Sequence, residues 1–256
     1  VTRDWYDLPH YFDLCFRDET EIEVQFFEQA FERYAQRKVR RLLEPGCGSG
    51  RLVFELARRG YEMTAFDLSE AAVSYCRRRL ARQGLVADVF VGDMTKFKLA
   101  QPVDAAFCTF NTFRHLTSEE SAVSHLRCVA RAVKRGGLYI LGLHLFPPDA
   151  DPECTERFTG ESGQTKVTCT LRVLSCDRKR RLERLRSSLL VRRGGQVLRN
   201  RSEFTLRLYN AKQFRSLLAS VRSWELVAVH DFGYEIDKTF ELDDRLADTL
   251  VVLRRK

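Results

Sequence analysis

Apolar side chains at Ile22, Phe26, Phe27, Ala30, Phe31 and Tyr34 recur every three or four positions, which predicts a helix with one apolar face over 21–37. Beyond it, short apolar runs alternate with further helical patterns. The predicted strands are 41–44, 61–66, 87–91, 103–109 and 138–145. One intervening helix carries Leu52, Val53, Leu56 and Ala57 and stops at Gly60. A second starts behind Ser69 and reaches 83, and a third covers 118–134 until Arg135-Gly136-Gly137 breaks it. Strands separated by helices in this way predict βαβ units and a mainly parallel sheet.

The texture changes after Pro147-Pro148. Three stretches, 166–174, 182–191 and 202–208, alternate apolar and polar residues with period two, and turn-like segments separate them. That pattern predicts an antiparallel meander with one wet face. A helix over 211–221 and strands over 224–232 and 249–254 follow. The order is therefore βα five times, a β insertion, then αββ. It divides the chain into an aromatic-rich N-terminal helical segment (1–39) over the active site and a ligand-binding α/β core (40–150). An inserted meander (151–210), acting as lid or dimer surface, and a C-terminal helix with two strands (211–256) complete it.

Composition narrows the classes. With 256 residues, 44% hydrophobic and 30% charged, the chain has an ordinary globular make-up. No apolar run approaches the ~20 residues of a membrane span. The opening VTRDWYDLPHYF lacks a basic-then-apolar layout, so the expectation is a cytoplasmic protein without membrane contact. Eight cysteines are scattered with no C-x-x-C pair, which points to reduced thiols rather than zinc or a disulfide scaffold. The formal net charge of +8 concentrates in the meander, at 178–181 and at Arg184, Arg186, Arg192, Arg193, Arg199 and Arg201. Such a basic stretch keeps nucleic acid in view as a partner. Against it, the charges alternate with apolar residues as on any solvent face, and stacking aromatics there are sparse.

The chemistry gathers where predicted strands end, the place where parallel sheets bind ligands. Glu44-Pro45-Gly46-Cys47-Gly48-Ser49-Gly50 follows the first strand. Glycines permit a tight turn and close approach of a ligand to the backbone. The dinucleotide fingerprint is the nearest rival, but its third glycine falls on Arg51. Glu44 would also repel a pyrophosphate, whereas it suits a ligand carrying an ammonium group. Asp67, at the end of the second strand, can accept both hydroxyls of a ribose, as in nicotinamide enzymes too. Gly92-Asp93-Met94 ends the third strand with a carboxylate beside an apolar side chain, a pair able to meet an adenine amino group and its ring.

In combination, LLEPGCGSG, AFDLSEAAVSYCRRRL and VGDMTKF, with VDAAFCTFNTFRHL and VARAVKRGGLYILGL behind them, resemble class I S-adenosylmethionine-dependent methyltransferases over about 40–145. The resemblance implies a Rossmann-like seven-stranded α/β sheet whose last strand is antiparallel, here with an inserted antiparallel meander. It implies S-adenosyl-L-methionine as cofactor and S-adenosyl-L-homocysteine as product. Glu44, Gly46, Cys47, Gly48 and Gly50 would surround the methionine part. Asp67 and Leu68 would hold the ribose and flank the adenine, with Asp93 and Met94 on its far side. Phe110 and Asn111 would lie near the sulfonium.

The expected reaction is methyl transfer to nitrogen or oxygen of a small molecule. His115 and Asn111 are the candidate catalytic groups, and Tyr6, Tyr11, Arg17 and Arg114 the candidate substrate contacts. No metal is required. The protein is expected as a monomer or homodimer. Two other readings stay open: an RNA methyltransferase using the basic insertion, and a non-catalytic nucleoside-cofactor-binding protein. The former lacks the [D/N]-P-P-[F/Y] turn after the fourth strand, where Thr109-Phe110-Asn111-Thr112 stands instead.

Overall fold

The computed structural model describes residues 5–256; residues 1–4 of the expected N-terminal segment lie outside the described residues. The first half of the chain forms helices α1 (Pro9–Phe16) and α2 (Thr20–Tyr34), then β1 (Arg41–Pro45), α3 (Arg51–Arg58), β2 (Glu62–Asp67), α4 (Glu70–Ala81) and β3 (Asp88–Val91). Next come β4 (Val103–Cys108), a single 3-10 turn (Thr112–His115), α5 (Glu119–Ala132) and β5 (Val133–His144). The meander is β6 (Thr155–Ser162), β7 (Thr165–Asp177), β8 (Leu182–Arg193) and β9 (Gln196–Arg207), and α6 (Ala211–Ser220), β10 (Trp224–His230) and β11 (Asp248–Arg255) end the chain.

Seven strands form one sheet in the order β10-β11-β5-β4-β1-β2-β3, with β11 antiparallel to both neighbours and the other pairings parallel. Because side chains alternate across a strand, neighbouring residues serve opposite layers. Leu42, Ala105, Phe107 and Ile140 pack with α2, α3 and α4 through Phe27, Leu56 and Cys76. Leu43, Ala106, Tyr139 and Leu141 pack with α5 and α6 through Leu126, Phe214 and Leu217. The expected α/β class, the seven-stranded sheet with its antiparallel last strand and the separate antiparallel sheet are all present.

Two elements depart from the expectation. The meander has four strands, not three, because β6 joins β7 as an edge strand. Its sequence, TERFTGES, has too few apolar positions for a period to register. Gly160 within it meets the backbone of Leu14, so a side chain there would overlap the Leu14 carbonyl. Strand β5 begins at Val133 and runs through Arg135-Gly136-Gly137 rather than starting after it. The register slips between Val103 and Ala105, so these residues form a bulge opposite Asp104. The Asp104 carboxylate there accepts the N–H groups of Arg40 and Arg41 at 3.0 Å and the ammonium of Lys134 at 2.8 Å.

Helix α1, with Pro9 in its first turn, packs Leu14 and Phe16 against Val167, Cys169, Leu189 and Val191 of the second sheet. The N-terminal helix and the meander thereby form one apolar unit. Tyr6 and Phe110 pack against the same cluster, which links this unit to the end of β4.

Candidate active site

Glycine-loop geometry starts from β1. The N–H groups of Gly46 and Cys47 donate to the Phe66 carbonyl at 2.7 and 3.0 Å, fastening the loop to β2. Gly48, at φ +52, donates its N–H to Asp67 Oδ2 at 2.8 Å, and Ser69 donates its own to Asp67 Oδ1 at 2.9 Å. A Cβ on Gly48 would meet no protein atom within 4 Å, so this turn is open on its outer side. Ser69 caps α4 by accepting from Ala72 N.

Glu44 is buried, and its Oε2 has no hydrogen-bond partner. Burial pushes its carboxyl well above the usual carboxylate range, against the pull of Arg51. Arg51 donates to Glu23 and to Thr20 Oγ1, and its guanidinium lies 4.6 Å from the Phe110 ring centroid. In the sequence pattern Arg51 stands out only as a bulky residue where a third glycine would fall; its charge at the loop is completed by Glu23 of α2, 28 residues away.

At the end of β4, Phe110 and Asn111 both have positive φ, 55° and 63°. Consecutive non-glycine residues in this region are strained, a feature that collects at functional sites. Asn111 Oδ1 accepts from Arg114 Nη1 at 3.2 Å and from His144 N at 2.8 Å. Its oxygen is thus engaged in holding the turn and is not a free proton acceptor. His115 Nε2 is hydrogen-bonded to the Tyr6 hydroxyl at 2.8 Å, and Phe204 of β9 packs on both rings. Burial first, then the charge of Arg114, lowers the His115 pKa to about 4.

These groups face one cavity of 1430 Å³ at the carboxyl ends of the parallel strands. Of the sequence-predicted residues, Glu44, Gly46, Cys47, Gly48, Asp67, Leu68, Met94, Phe110, Asn111, Arg114, His115 and Tyr6 line it. Four do not. Gly50 instead lets α3 approach α4, since a side chain there would overlap Cys76. Asp93 turns back to accept from Thr95 N and Oγ1, both at 2.8 Å. Tyr11 packs beside His10 with ring centroids 5.4 Å apart, and Arg17 donates to the Glu161 carbonyl at 2.5 Å, tying α1 to β6.

Arg114 lines the cavity but its charge is spent: the guanidinium is buried and donates to Glu183 and to the Arg207 carbonyl. Glu156, His144 and Asp248 also line the roof end, none of them singled out by the sequence pattern. His144 Nε2 stands 3.5 Å from Asp248 Oδ1. Several basic residues of the meander are internally bonded. Arg181 and Arg207 pair with Glu119, Arg186 pairs with Glu203 at 2.8 Å, and Arg178 donates to the carbonyls of Pro147 and Ala150. Among the described residues, no helix is long and apolar enough to cross a membrane.

The strand order, the antiparallel β11 and a ligand cavity at the strand ends define the class I methyltransferase fold. Residues 42–137 match the family described as methyltransferase domain. Over its full length the chain superposes on an S-adenosylmethionine-dependent methyltransferase from Clostridium acetobutylicum, with a TM-score of 0.79, 17% identity and 98% of each chain covered. The sugar N-methyltransferase KedS8 from Streptoalloteichus gives a TM-score of 0.74 at 19% identity, covering 100% of this chain and 94% of that one. In sequence, the chain is 34% identical over 98 residues to a ubiquinone biosynthesis O-methyltransferase from Alkalilimnicola ehrlichii, which is 38% of this chain and 39% of that protein. The chain spans less than half the length of the first curated relatives it matches. Residues 42–137 thus match the methyltransferase domain family, and the chain as a whole has the fold of S-adenosylmethionine-dependent methyltransferases.

Proposed function

We propose that this chain transfers a methyl group from S-adenosylmethionine to the nitrogen of a small-molecule amine. The observation that carries this reading is the continuous cavity of 1430 Å³, which joins the glycine loop to the roof of the meander. It exceeds the roughly 300–1,000 Å³ of a pocket for one drug-sized ligand, so cofactor and acceptor fit side by side.

The loop end suits the cofactor. Glu44 offers an unpartnered carboxyl oxygen for an ammonium group, and the open turn at Gly48 accommodates the amino-acid part. Asp67, already oriented by two backbone N–H groups, keeps acceptor capacity for ribose hydroxyls. Leu68 and Met94 would face the adenine, and Phe110 the sulfonium. When bound, the cofactor supplies an electrophilic methyl carbon on a positively charged sulfur.

The remaining work is alignment and proton removal. Holding acceptor and methyl in line can lower the barrier by ~7–11 kcal/mol, and the strained Phe110-Asn111 turn, braced by Arg114 and His144, is the rigid wall for it. A nitrogen nucleophile must be unprotonated when it attacks. Tyr6 faces that end of the cavity with its hydroxyl held by the neutral His115, so the pair positions the acceptor, and the proton that the amine loses passes to solvent.

Nitrogen is favoured over oxygen by the electrostatics of the roof end. With Arg114 engaged by Glu183, the lining groups Asp151 and Asp248 stand against Arg157, and Glu156, whose pKa burial and its acidic neighbours raise, adds a carboxyl that a cation would ionise. The likeness to a sugar N-methyltransferase supports the same choice, whereas the O-methyltransferase relative covers only part of the core.

The reading is tested with methyl-labelled S-adenosylmethionine and matched aminosugar, alkylamine and phenol acceptors. Label is expected on an amine and abolished by Phe110→Asp. Transfer to phenols alone would replace the nitrogen acceptor by oxygen.

A further inference from the structure

If the amino-acid part of the cofactor lies beside Glu44, as proposed above, the charges around that residue have a consequence. Glu44 and Glu23 are both buried, each with one carboxyl oxygen lacking a partner. Arg51 is the guanidinium between them. Its hydrogen bonds go to Glu23 and Thr20, not to Glu44. The other groups whose charge acts on Glu44 are Cys76 on α4 and Asp67 at the end of β2, and both add negative character when ionised. Two buried carboxylates would thus share one cation. A buried charge without a counter-charge is costly, and a carboxyl so placed takes up a proton instead. Arg51 donates directly to Glu23, which leaves Glu44 as the buried carboxyl without a hydrogen-bonded cation.

We infer that Glu44 reads the charge of the ligand: it is a neutral acid in the ligand-free protein and becomes a carboxylate when the cofactor's ammonium group arrives. The step breaks the Glu44 O–H bond and delivers its proton to solvent, and the ammonium supplies the missing positive charge. No electrons move. Cofactor binding is therefore coupled to proton release, and a ligand of the same shape without the ammonium forfeits the exchange.

Burial already holds the Glu44 carboxyl well above its usual range, which agrees with this direction. His115 stays neutral above about pH 4, but burial also raises the pKa of Asp67, against the N–H groups of Ser69 and Gly48, and those of Glu19 and Glu156 of the same cavity. Variants of Glu44 and Asp67 therefore assign the proton.

The test is calorimetric titration of S-adenosylhomocysteine into the full chain, in phosphate and in Tris, from about pH 6 to 8. The ligand's own amino and carboxyl groups keep their charges over this range. The wild type is expected to release about one proton per ligand, and its affinity to rise by up to about tenfold per pH unit where Glu44 is neutral. Glu44→Gln keeps the shape and is expected to weaken binding while removing both the buffer-dependent heat and the pH slope. Asp67→Asn is expected to weaken binding and retain the proton release. Binding to wild type without proton exchange, or undiminished release from Glu44→Gln, would overturn the inference. No binding at all to folded wild type would overturn the cofactor placement itself.

Discussion

His125 is fully buried, bonded through Nδ1 to the Met94 carbonyl at 3.0 Å and through Nε2 to the Tyr139 hydroxyl at 2.7 Å. Burial lowers its pKa to about 4, the same value that His115 reaches. Both are lowered values, so the unfolded chain takes up these protons below about pH 6.5 while the native protein resists until about pH 4. Their contribution is intact above pH 6.5 and is lost as pH falls from 6.5 to 4, by about 1.4 kcal/mol per pH unit for each histidine. Urea denaturation across that window is expected to show this decline, and His125→Gln to remove its share. A stability that stays flat through the window would show that the histidines are not held neutral.

At this same scale, legibility in the sequence depended on whether a residue's partners are local. Glu44 and Asp67 could be placed because a strand end and a glycine turn fix their position from a few neighbouring residues. Asp93 could not, since the Thr95 hydroxyl and N–H that turn it away from the cavity are a matter of rotamer. Arg114 is a candidate substrate contact by sequence, but Glu183, 69 residues away, engages its guanidinium. Arg17 is likewise drawn off by the Glu161 carbonyl of β6, a partner 144 residues away.

Elements follow the same logic. The βα repeat was readable because each buried strand and amphipathic helix carries its own period, whereas β6 and the β5 bulge depend on partners: β7 and the backbone of α1 for one, Asp104 for the other. The loop between β1 and α3 separates two demands on glycine. Gly48→Ala places a left-handed residue in open space and is expected to cost roughly 1–2 kcal/mol of stability while weakening S-adenosylhomocysteine binding. Gly50→Ala, at φ +67, must also displace Cys76 of α4. Its loss of stability is expected to be the larger of the two, by thermal denaturation. Equal losses would mean that the α3–α4 contact yields without strain.

Across the whole molecule, the seven-stranded sheet supplies the loop ends and the unit of α1 with the second sheet supplies the roof. The cavity exists only because both are present: Gly46, Asp67 and Phe110 come from the first, Phe158, Leu171 and Phe204 from the second. The net charge of +8 belongs to this scale as well. Arg178, Arg181 and Arg186, three of the arginines that pointed toward nucleic acid, are engaged by backbone carbonyls, Glu119 and Glu203, and so stiffen the meander and its junction with α5.

Whether the strand ends hold S-adenosylmethionine is decided by titration of S-adenosylhomocysteine into wild type and Asp67→Ala, with NAD as the competing ligand. Saturable binding to wild type is expected, weakened by ~1–3 kcal/mol when the ribose hydroxyls lose their acceptor, with no binding of NAD. Binding of NAD in preference to S-adenosylhomocysteine, or an affinity indifferent to Asp67, would contradict this placement of the cofactor.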